Sequence, residues 1–260
     1  MNEQEILSRI EGKVGFIVLN RPKRLNSFTM QMARRFIAEL AAMDSNDAIR
    51  AVVLMGAEPR AFSSGMDLEE AMAAPVTEMV NRSAQQEAIY RAVLSFSKPC
   101  IVAVDGICVG AGFHVALCAD WRIATPSSTW GQPEVKVGIA SISGPYLIGL
   151  HVGHGRNVQL STMGELITGQ RAYEWGLVTE LCEGDVIAAA AARAEKLVEL
   201  PRTAVKLTKE RFNSEIMHGL SQATAASTRA QLQCHSDGER QEMIAKFLAK
   251  NAAKRKPASP

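Results

Sequence analysis

Two polar side chains interrupt a small and apolar stretch of the chain between residues 106 and 138, and both could move protons. His114 lies in the run "GAGFHVALC", and Glu134 follows twenty positions later in "WGQPEVKVG". A carboxylate among apolar neighbours is unfavourable unless it is paired, hydrogen-bonded or held for chemistry. Glu134 is therefore the first candidate for a general acid or base, and His114 is the second.

Both residues also have a purely structural interpretation. His114 could be a core histidine that donates a hydrogen bond to a backbone carbonyl, and Glu134 could be paired with a nearby basic group. The catalytic interpretation is favoured for Glu134, while the two interpretations of His114 stay close to each other.

Two glycine turns could supply backbone donors to the same site. "AFSSGMDLEE" and "CVGAGFHVALC" each follow a buried strand, pass through glycine and open a helix. The first N–H groups of a helix have no partner within it, and the helix dipole adds positive potential there. If the two turns face each other, the amides of Met66 and Ala111 could bind one oxygen as an oxyanion hole. Taken alone, either turn more often reflects close packing.

The composition limits the classes of protein that the chain can belong to. It has 260 residues, 47% of them hydrophobic, which suits one sizeable domain, and its net charge of +2 does not favour a nucleic-acid partner. The five cysteines are scattered and odd in number, and no histidine has a companion at metal-ligand spacing, so we expect a reducing compartment and no metal site. With no secretory signal pattern and no membrane-spanning run, we expect a cytoplasmic protein.

The order of the elements predicts an α/β fold. A hairpin at the start is followed by a helix capped by Ser27 or Thr29, a buried strand at "IRAVVLMGA" and a long helix from about 78 to 97. The stretch "CIVAVDGIC" is predicted as one strand, "GAGFHVALCAD" as a buried helix and "WRIAT" as another strand. Units of strand, turn and helix therefore alternate along the first part of the chain.

After Gly184 four helical stretches are predicted in succession. Their apolar faces are too many for an appendage to hide from water, so we expect them to bury surface against another subunit. The basic residues of the last stretch are either a solvated helix end or a set of phosphate contacts; they are Lys246, Lys250, Lys254, Arg255 and Lys256.

The two turns and the "GQPE" run together resemble the crotonase family, also called the enoyl-CoA hydratase/isomerase family. The resemblance covers nearly the whole chain, from "LNRPKRLNSF" through "WGQPEVKVGI" to "GELITGQRAYEWGLVTEL". It implies a spiral of repeated ββα units over residues 1–195 and a helical region over residues 196–260 that builds homotrimers, often paired into hexamers. It also implies an acyl-CoA substrate, coenzyme A being part of that substrate, and no separate cofactor.

Carried over residue by residue, the resemblance assigns the oxyanion amides to Met66 and Ala111. It also implies four residues that bind coenzyme A: Lys23, Arg24, Ala61 and Ser63. An ordinary charged loop remains the alternative for the two basic ones. Trp130 and Tyr146 are candidates for the acyl pocket, although packing alone explains them equally well.

The sequence departs from the family pattern at His114. Hydratases of the family place two glutamates on the substrate; Glu134 matches the second, and His114 stands at the first. Ile142 stands where other members carry a further carboxylate. One carboxylate therefore favours moving a double bond over hydrating it, with His114 as an auxiliary or water-positioning group and hydration close behind. The alternative class is a crotonase-like protein that binds acyl-CoA or RNA without chemistry.

Overall fold

Residues 4–255 are described by the computed structural model of the protein, with side chains through residue 251. The strands are β1 (Ile6–Glu11), β2 (Val14–Leu19), β3 (Ala51–Gly56), β4 (Ala61–Ser63), β5 (Cys100–Val104), β6 (Ile107–Val109), β7 (Trp121–Ala124), β8 (Thr129–Gly131), β9 (Leu166–Thr168) and β10 (Glu180–Leu181). The helices are α1 (Met30–Ser45), α2 (Leu68–Ala73), α3 (Met79–Leu94), α4 (Ala111–Cys118), α5 (Ser143–Gly149), α6 (His154–Met163), α7 (Gly169–Glu174), α8 (Val186–Leu197), α9 (Arg202–Ser236) and α10 (Glu239–Arg255).

The strands form two sheets that the chain visits alternately. One sheet has the order β1-β2-β3-β5-β7-β10, and the other has the order β4-β6-β8-β9. From β2 to β10 the neighbours in the first sheet are parallel, as are β4, β6 and β8 in the second. From β3 to β8, each turn of the chain thus adds one strand to each sheet before a helix follows. This is the spiral of ββα units that the family resemblance implies.

The first sheet separates two apolar clusters. Val52 and Leu54 of β3 belong to the larger cluster, whereas Val53 and Met55 belong to the smaller one on the opposite face, as the two-residue period of a strand requires. Helix α8 covers the second face with alanines such as Ala190. The strands are therefore buried on both faces, which explains their continuous apolar runs.

Most of the predicted elements are confirmed. The strand predicted over "CIVAVDGIC" and the number of helices predicted after Gly184 are wrong. The hairpin β1–β2 and helix α1, whose N-cap Thr29 accepts from the Met32 amide, lie as predicted. The stretch "CIVAVDGIC" is not one strand, because the chain turns at Gly106 with a φ of 80° and passes from the first sheet to the second. None of the helices in residues 4–255 is long and apolar enough to cross a membrane.

The end of the chain forms three helices rather than the four predicted after Gly184. The second and third predicted stretches are one 35-residue helix, α9. It continues through Gly219, where a Cβ would lie 2.6 Å from the Tyr146 ring, so the glycine allows the ring to pack against the helix. The predicted boundary at residue 195 falls in the last turn of α8.

The two glycine turns that precede α2 and α4 pack directly against each other. A Cβ on Gly112 would lie 2.6 Å from the Ser63 Cβ, and one on Gly65 would lie 3.0 Å from the Ala111 amide nitrogen. Such distances exclude a side chain at either glycine without movement of the backbone. The spacing between the turns therefore depends on these glycines.

Replacing Gly112 with alanine is expected to lower the stability of the protein by about 1–3 kcal/mol, because the new methyl group overlaps Ser63. Thermal unfolding of the purified variant measures the effect. The matched control is Gly155→Ala in α6, where no atom lies within 4 Å of the new Cβ, so its stability should stay equal or rise. Equal unfolding temperatures for wild type and Gly112→Ala would show that the turns are not packed in this way.

Candidate active site

A cavity of about 850 Å³ opens beside the two glycine turns. Its wall includes Gly65 and Met66 from the first turn, Gly110 and Ala111 from the second, and Glu134. Helices α2 and α3 line another side, and residues of α9 and α10 cover it from the C-terminal region. The residues predicted to form an oxyanion hole and the predicted acid–base group therefore border one space.

Both predicted oxyanion amides are free of backbone acceptors within the described residues. Ala111 is the first residue of α4, so its N–H has no partner in the helix. Met66 pairs with Phe28 as an isolated parallel bridge, in which Phe28 bonds to Gly65 O and to the Asp67 amide. The Met66 N–H and C=O therefore point to the other side of that segment, away from Phe28.

Ser63 holds the first turn in shape rather than lining the cavity. Its hydroxyl donates to Asn26 O at 2.9 Å and accepts from the Gly65 amide at 3.2 Å. Asn26 in turn donates from its side chain to Ala61 O. Ser63 and Ala61 are buried and do not line the cavity, so their predicted contact with coenzyme A does not fit where the structure places them.

Glu134 is carried by a short 3₁₀ helix, Pro133–Val137. Pro133 begins it, and Gly138, with a φ of 67°, ends it. A Cβ on Gly110 would lie 3.2 Å from Glu134 Oε1, so the carboxylate lies against the second glycine turn. Its Oε2 atom is buried without a hydrogen-bond partner, and burial raises the pKa of Glu134 to about 7.

His114 lies in a hydrogen-bonded network behind the cavity. Gln86 donates to the Tyr90 hydroxyl at 2.7 Å, and that hydroxyl lies 3.1 Å from His114 Nδ1. His114 Nε2 lies 3.1 Å from Gln132 Oε1, whose amide nitrogen donates to Ser161. The network is satisfied when Tyr90 donates to Nδ1 and a neutral imidazole donates from Nε2. Burial lowers the pKa of His114 to about 4, so the ring is neutral at pH 7.

The expectation that His114 holds a water on the substrate does not fit this placement. The side chain is 1% exposed and does not line the cavity. Both ring nitrogens already have side-chain partners. Through Gln132, two residues before Glu134, the histidine instead supports the segment that carries the carboxylate.

Of the two basic residues predicted to bind coenzyme A, Arg24 lines the cavity and forms an ion pair with Glu69. Lys23 is exposed and does not line it. Lys246 and Lys250 of the basic C-terminal stretch also line the cavity, whereas the side chains of Lys254, Arg255 and Lys256 lie outside the described ones.

The two residues predicted for the acyl pocket do not line the cavity. Trp130 is completely buried, donates to Ser128 and packs edge-on against Phe113. The Tyr146 hydroxyl donates to Ile216 O in α9. Both contacts are structural, because each side chain fills space between elements and satisfies its own polar atom.

Several cavity residues were missed because they lie on helices whose other face is buried. Arg82 and Gln86 lie four positions apart on α3, and Arg240, Met243 and Phe247 have helical spacing on α10. These spacings place each set on one helical face and could have indicated a shared surface. No group of three or more His, Cys, Asp or Glu side chains within the described part of the chain could hold a metal ion.

Comparisons with known proteins agree with this geometry. A family described as "Enoyl-CoA hydratase/isomerase" matches residues 9–257. The chain is 28% identical over 252 residues to the short-chain-enoyl-CoA hydratase of Clostridium acetobutylicum, covering 96% of this chain and 97% of that protein. It is 30% identical over 253 residues to the 1,2-epoxyphenylacetyl-CoA isomerase of Escherichia coli, covering 95% and 96%.

The fold has close counterparts among solved structures. The crystal structure of an enoyl-CoA hydratase/isomerase from Mycobacterium paratuberculosis matches with a TM-score of 0.85 and 27% identity, over 93% of this chain and 98% of that chain. One from Xanthobacter autotrophicus matches with a TM-score of 0.82 and 27% identity, over 98% and 99%. The likeness therefore includes the helical C-terminal region.

The raised pKa of Glu134 predicts a pH-dependent difference in stability between the wild type and Glu134→Gln. The folded protein retains the proton up to about pH 7, whereas the unfolded chain releases it near 4.5, so wild-type stability falls as the pH rises through this window. The variant lacks this loss and should unfold at a higher temperature than the wild type at pH 8, with the difference shrinking towards pH 4.5.

The control for this comparison is Glu58→Gln, which alters an exposed carboxylate on the loop after β3. Its unfolding temperature, measured at the same pH values, is the reference for removing a carboxylate from the exposed surface. A Glu134→Gln effect that is constant from pH 4.5 to pH 8 would contradict the raised pKa.

Proposed function

The chain belongs to the enoyl-CoA hydratase/isomerase family, the crotonase family of enzymes, and on that premise we propose that it moves a double bond in an acyl-CoA thioester with Glu134 as its single acid–base group. The proposal rests on which of the carboxylates that line the cavity have an ion-pair partner and which one does not. Among the described residues that line the cavity, Asp67 pairs with Arg21 and Glu69 pairs with Arg24. Glu134 differs from both, because its Oε2 is buried without a hydrogen-bond partner while its Oε1 lies beside the second glycine turn.

The proposed reaction uses the two turns and the carboxylate together. The thioester carbonyl accepts hydrogen bonds from the Met66 and Ala111 amides. Glu134 then removes a proton from one carbon of the acyl chain, and the electron pair of that C–H bond moves into an enolate whose charge lies on the oxygen between the amides. The same carboxyl group returns the proton to the carbon at the other end of the conjugated system, which shifts the double bond and restores the carboxylate.

The magnitudes of the two contributions make a single carboxylate sufficient. One oxyanion donor is typically worth about 10²–10³ in rate, and one placed acid–base group about 10²–10⁴. A base with a pKa near 7 holds a proton strongly enough to take it from carbon and releases it readily enough to return it. Burial gives Glu134 this property, since its raised pKa comes mainly from the loss of water around it.

Hydration of a 2-enoyl thioester is the second candidate. It is favoured by the hydratase name of the relative from Clostridium acetobutylicum, which covers 96% of this chain. Hydration needs a water to be aligned and deprotonated while a proton reaches the neighbouring carbon. Neutral, enclosed His114 offers no free nitrogen for that water. This is why we place isomerisation first.

The coenzyme A portion is proposed to bind where exposed cations reach the cavity. Arg24, Lys246 and Lys250 line it and can contact phosphates. On α9, Leu207 and Phe212 are 58% and 68% exposed, which supports association of this helix with another subunit. A homotrimer or a dimer of trimers in the cytoplasm is the corresponding proposal for the assembled enzyme.

Replacing Glu134 with glutamine is expected to lower kcat by about 10²–10⁴, because no other group takes the proton. The measurement incubates the protein with 2-enoyl and 3-enoyl thioesters in deuterated water and follows label uptake and hydration separately. Glu58→Gln serves as the control and should react as the wild type does. Unchanged turnover by Glu134→Gln contradicts the assignment, and salt-dependent RNA binding without turnover of any thioester favours the non-catalytic alternative.

The same carboxylate predicts the pH profile of isomerisation. Because the base must be ionised, kcat/KM should rise tenfold per pH unit below about pH 7 and level off above it. Initial rates between pH 5 and pH 9 with a 3-enoyl thioester test this. A profile that is flat down to pH 5 would mean that the reacting carboxyl group has an ordinary pKa.

A further inference from the structure

Arg240, in the first turn of α10, is a buried cation that the described residues leave unneutralised. Its side chain lines the cavity, the residue is only 7% exposed, and its Nε atom has no hydrogen-bond partner. No carboxylate of the described residues forms an ion pair with it. Burial lowers its pKa most, the charge of Arg82 lowers it further, and Cys234 raises it. A buried guanidinium without a partner is strongly unfavourable.

The other buried cations of the chain show how such groups are normally accommodated here. Arg122 is 5% exposed, and its guanidinium donates to three backbone oxygens, those of Ala116, Ala119 and Leu177. Lys98 is 6% exposed and donates to two carbonyls. Arg240 differs from both because its guanidinium makes no hydrogen bond to any described residue and because it lines the cavity.

The position of Arg240 relates it to the proposed acid–base group. Gly138 ends the 3₁₀ helix that carries Glu134, and a Cβ on Gly138 would lie 2.9 Å from the Arg240 Cα atom. Arg82 of α3 adds a second positive charge to the same cavity, although Glu70 already binds it at 3.0 Å. Burial and the charge of Arg82 together lower the pKa of Arg240. An anion in the cavity would relieve both effects.

The cations of α10 divide between its two ends. Lys246 and Lys250 are six and ten residues beyond Arg240, which corresponds to about 9 and 15 Å along the helix. Lys250 is exposed, and Lys246 is paired with Glu242 near the solvent. The exposed end suits the hydrated phosphates of coenzyme A. The buried end lies beside the helix of Glu134, where the acyl group must be placed for proton transfer.

We propose that Arg240 binds a carboxylate on the acyl portion of the substrate, so that the preferred thioester carries a second carboxyl group at the end remote from sulfur. The inference rests on the proposed function, because it takes the cavity as an acyl-CoA site. A guanidinium presents two parallel N–H donors that match the two oxygens of a carboxylate. In a buried site that pair is strong, and a methyl group in its place leaves the guanidinium unpaired.

The experiment compares two saturated thioesters that bind but cannot isomerise. Glutaryl-CoA and valeryl-CoA have the same chain length and differ by a terminal carboxylate in place of a methyl group. Calorimetric titration of the wild type should show at least about 30-fold tighter binding of glutaryl-CoA. Arg240→Met should remove that preference by weakening glutaryl-CoA alone, and Arg240→Lys should retain part of it. Arg35→Met, which alters an exposed residue of α1, is the matched control.

Thermal unfolding supplies a readout that does not depend on a ligand. Because Arg240→Met removes a buried unpaired charge, the free variant should unfold at the same temperature as the wild type or a higher one. A lower unfolding temperature with loss of assembly, and unchanged binding of both thioesters, would overturn the proposal and assign the guanidinium to a carboxylate of a second subunit.

Three further outcomes would also overturn it. In the first, Arg240→Met weakens the binding of glutaryl-CoA and valeryl-CoA equally but does not weaken the binding of the corresponding dephospho-CoA thioesters. That result would assign Arg240 to a phosphate of coenzyme A. A wild type that binds valeryl-CoA at least as well as glutaryl-CoA contradicts the acyl carboxylate while leaving the proposed function intact. Failure of the wild type to bind either thioester rejects the proposed function and this inference with it.

Discussion

The contact between the two glycine turns is the constraint on which the site depends. Gly65 approaches the Ala111 amide and Gly112 approaches Ser63 so closely that a methyl group cannot be placed between them. The contact brings the ends of β4 and β6, neighbouring strands of the second sheet, to one edge of the cavity. Their helices begin there, so backbone donors without intrahelical partners collect at the same place. The ββα spiral matters for function because consecutive units place the end of a strand and the start of the following helix next to each other.

Four described residues keep a buried side-chain polar atom without a hydrogen-bond partner. Two of them, Glu134 and Arg240, line the cavity, whereas Glu5 and Gln241 do not. Arg122, Lys98 and His114 are buried, yet each has hydrogen-bond partners from the protein. Glu134 and Arg240 are the opposite case, since each keeps a buried atom without a partner and lines the cavity. Buried polar atoms without a hydrogen-bond partner destabilise the free protein, so they are retained chiefly where a ligand supplies the missing hydrogen bond. We propose that the two residues mark the parts of the wall that meet polar groups of a substrate.

The sequence was sufficient for the features that depend on local pattern. The hairpin, α1 with its Thr29 cap and the α/β order follow from periodicity and capping, and the Gly65 and Gly110 turns follow from glycine before a helix. What it could not supply were facts of three-dimensional packing. His114 and Trp130 have residue types that suit a site, but Gln132 and Ser128 satisfy them in the interior. Arg240 lies 106 positions after Glu134 in the chain, and only the folding of α10 onto Gly138 brings the two together.

Helix α10 also separates one part of the cavity wall, along the chain, from the residues proposed to carry out the chemistry. The residues proposed to carry out the chemistry lie between positions 66 and 134, whereas a part of the wall that differs in shape and charge comes from a helix near the C-terminus. On the proposed function, exchange of that one segment between relatives, by recombination or in the laboratory, would alter which acyl group is accepted without disturbing the strand ends that are proposed to hold the enolate. Diversification within such a scaffold then needs no new catalytic machinery, only a new final helix.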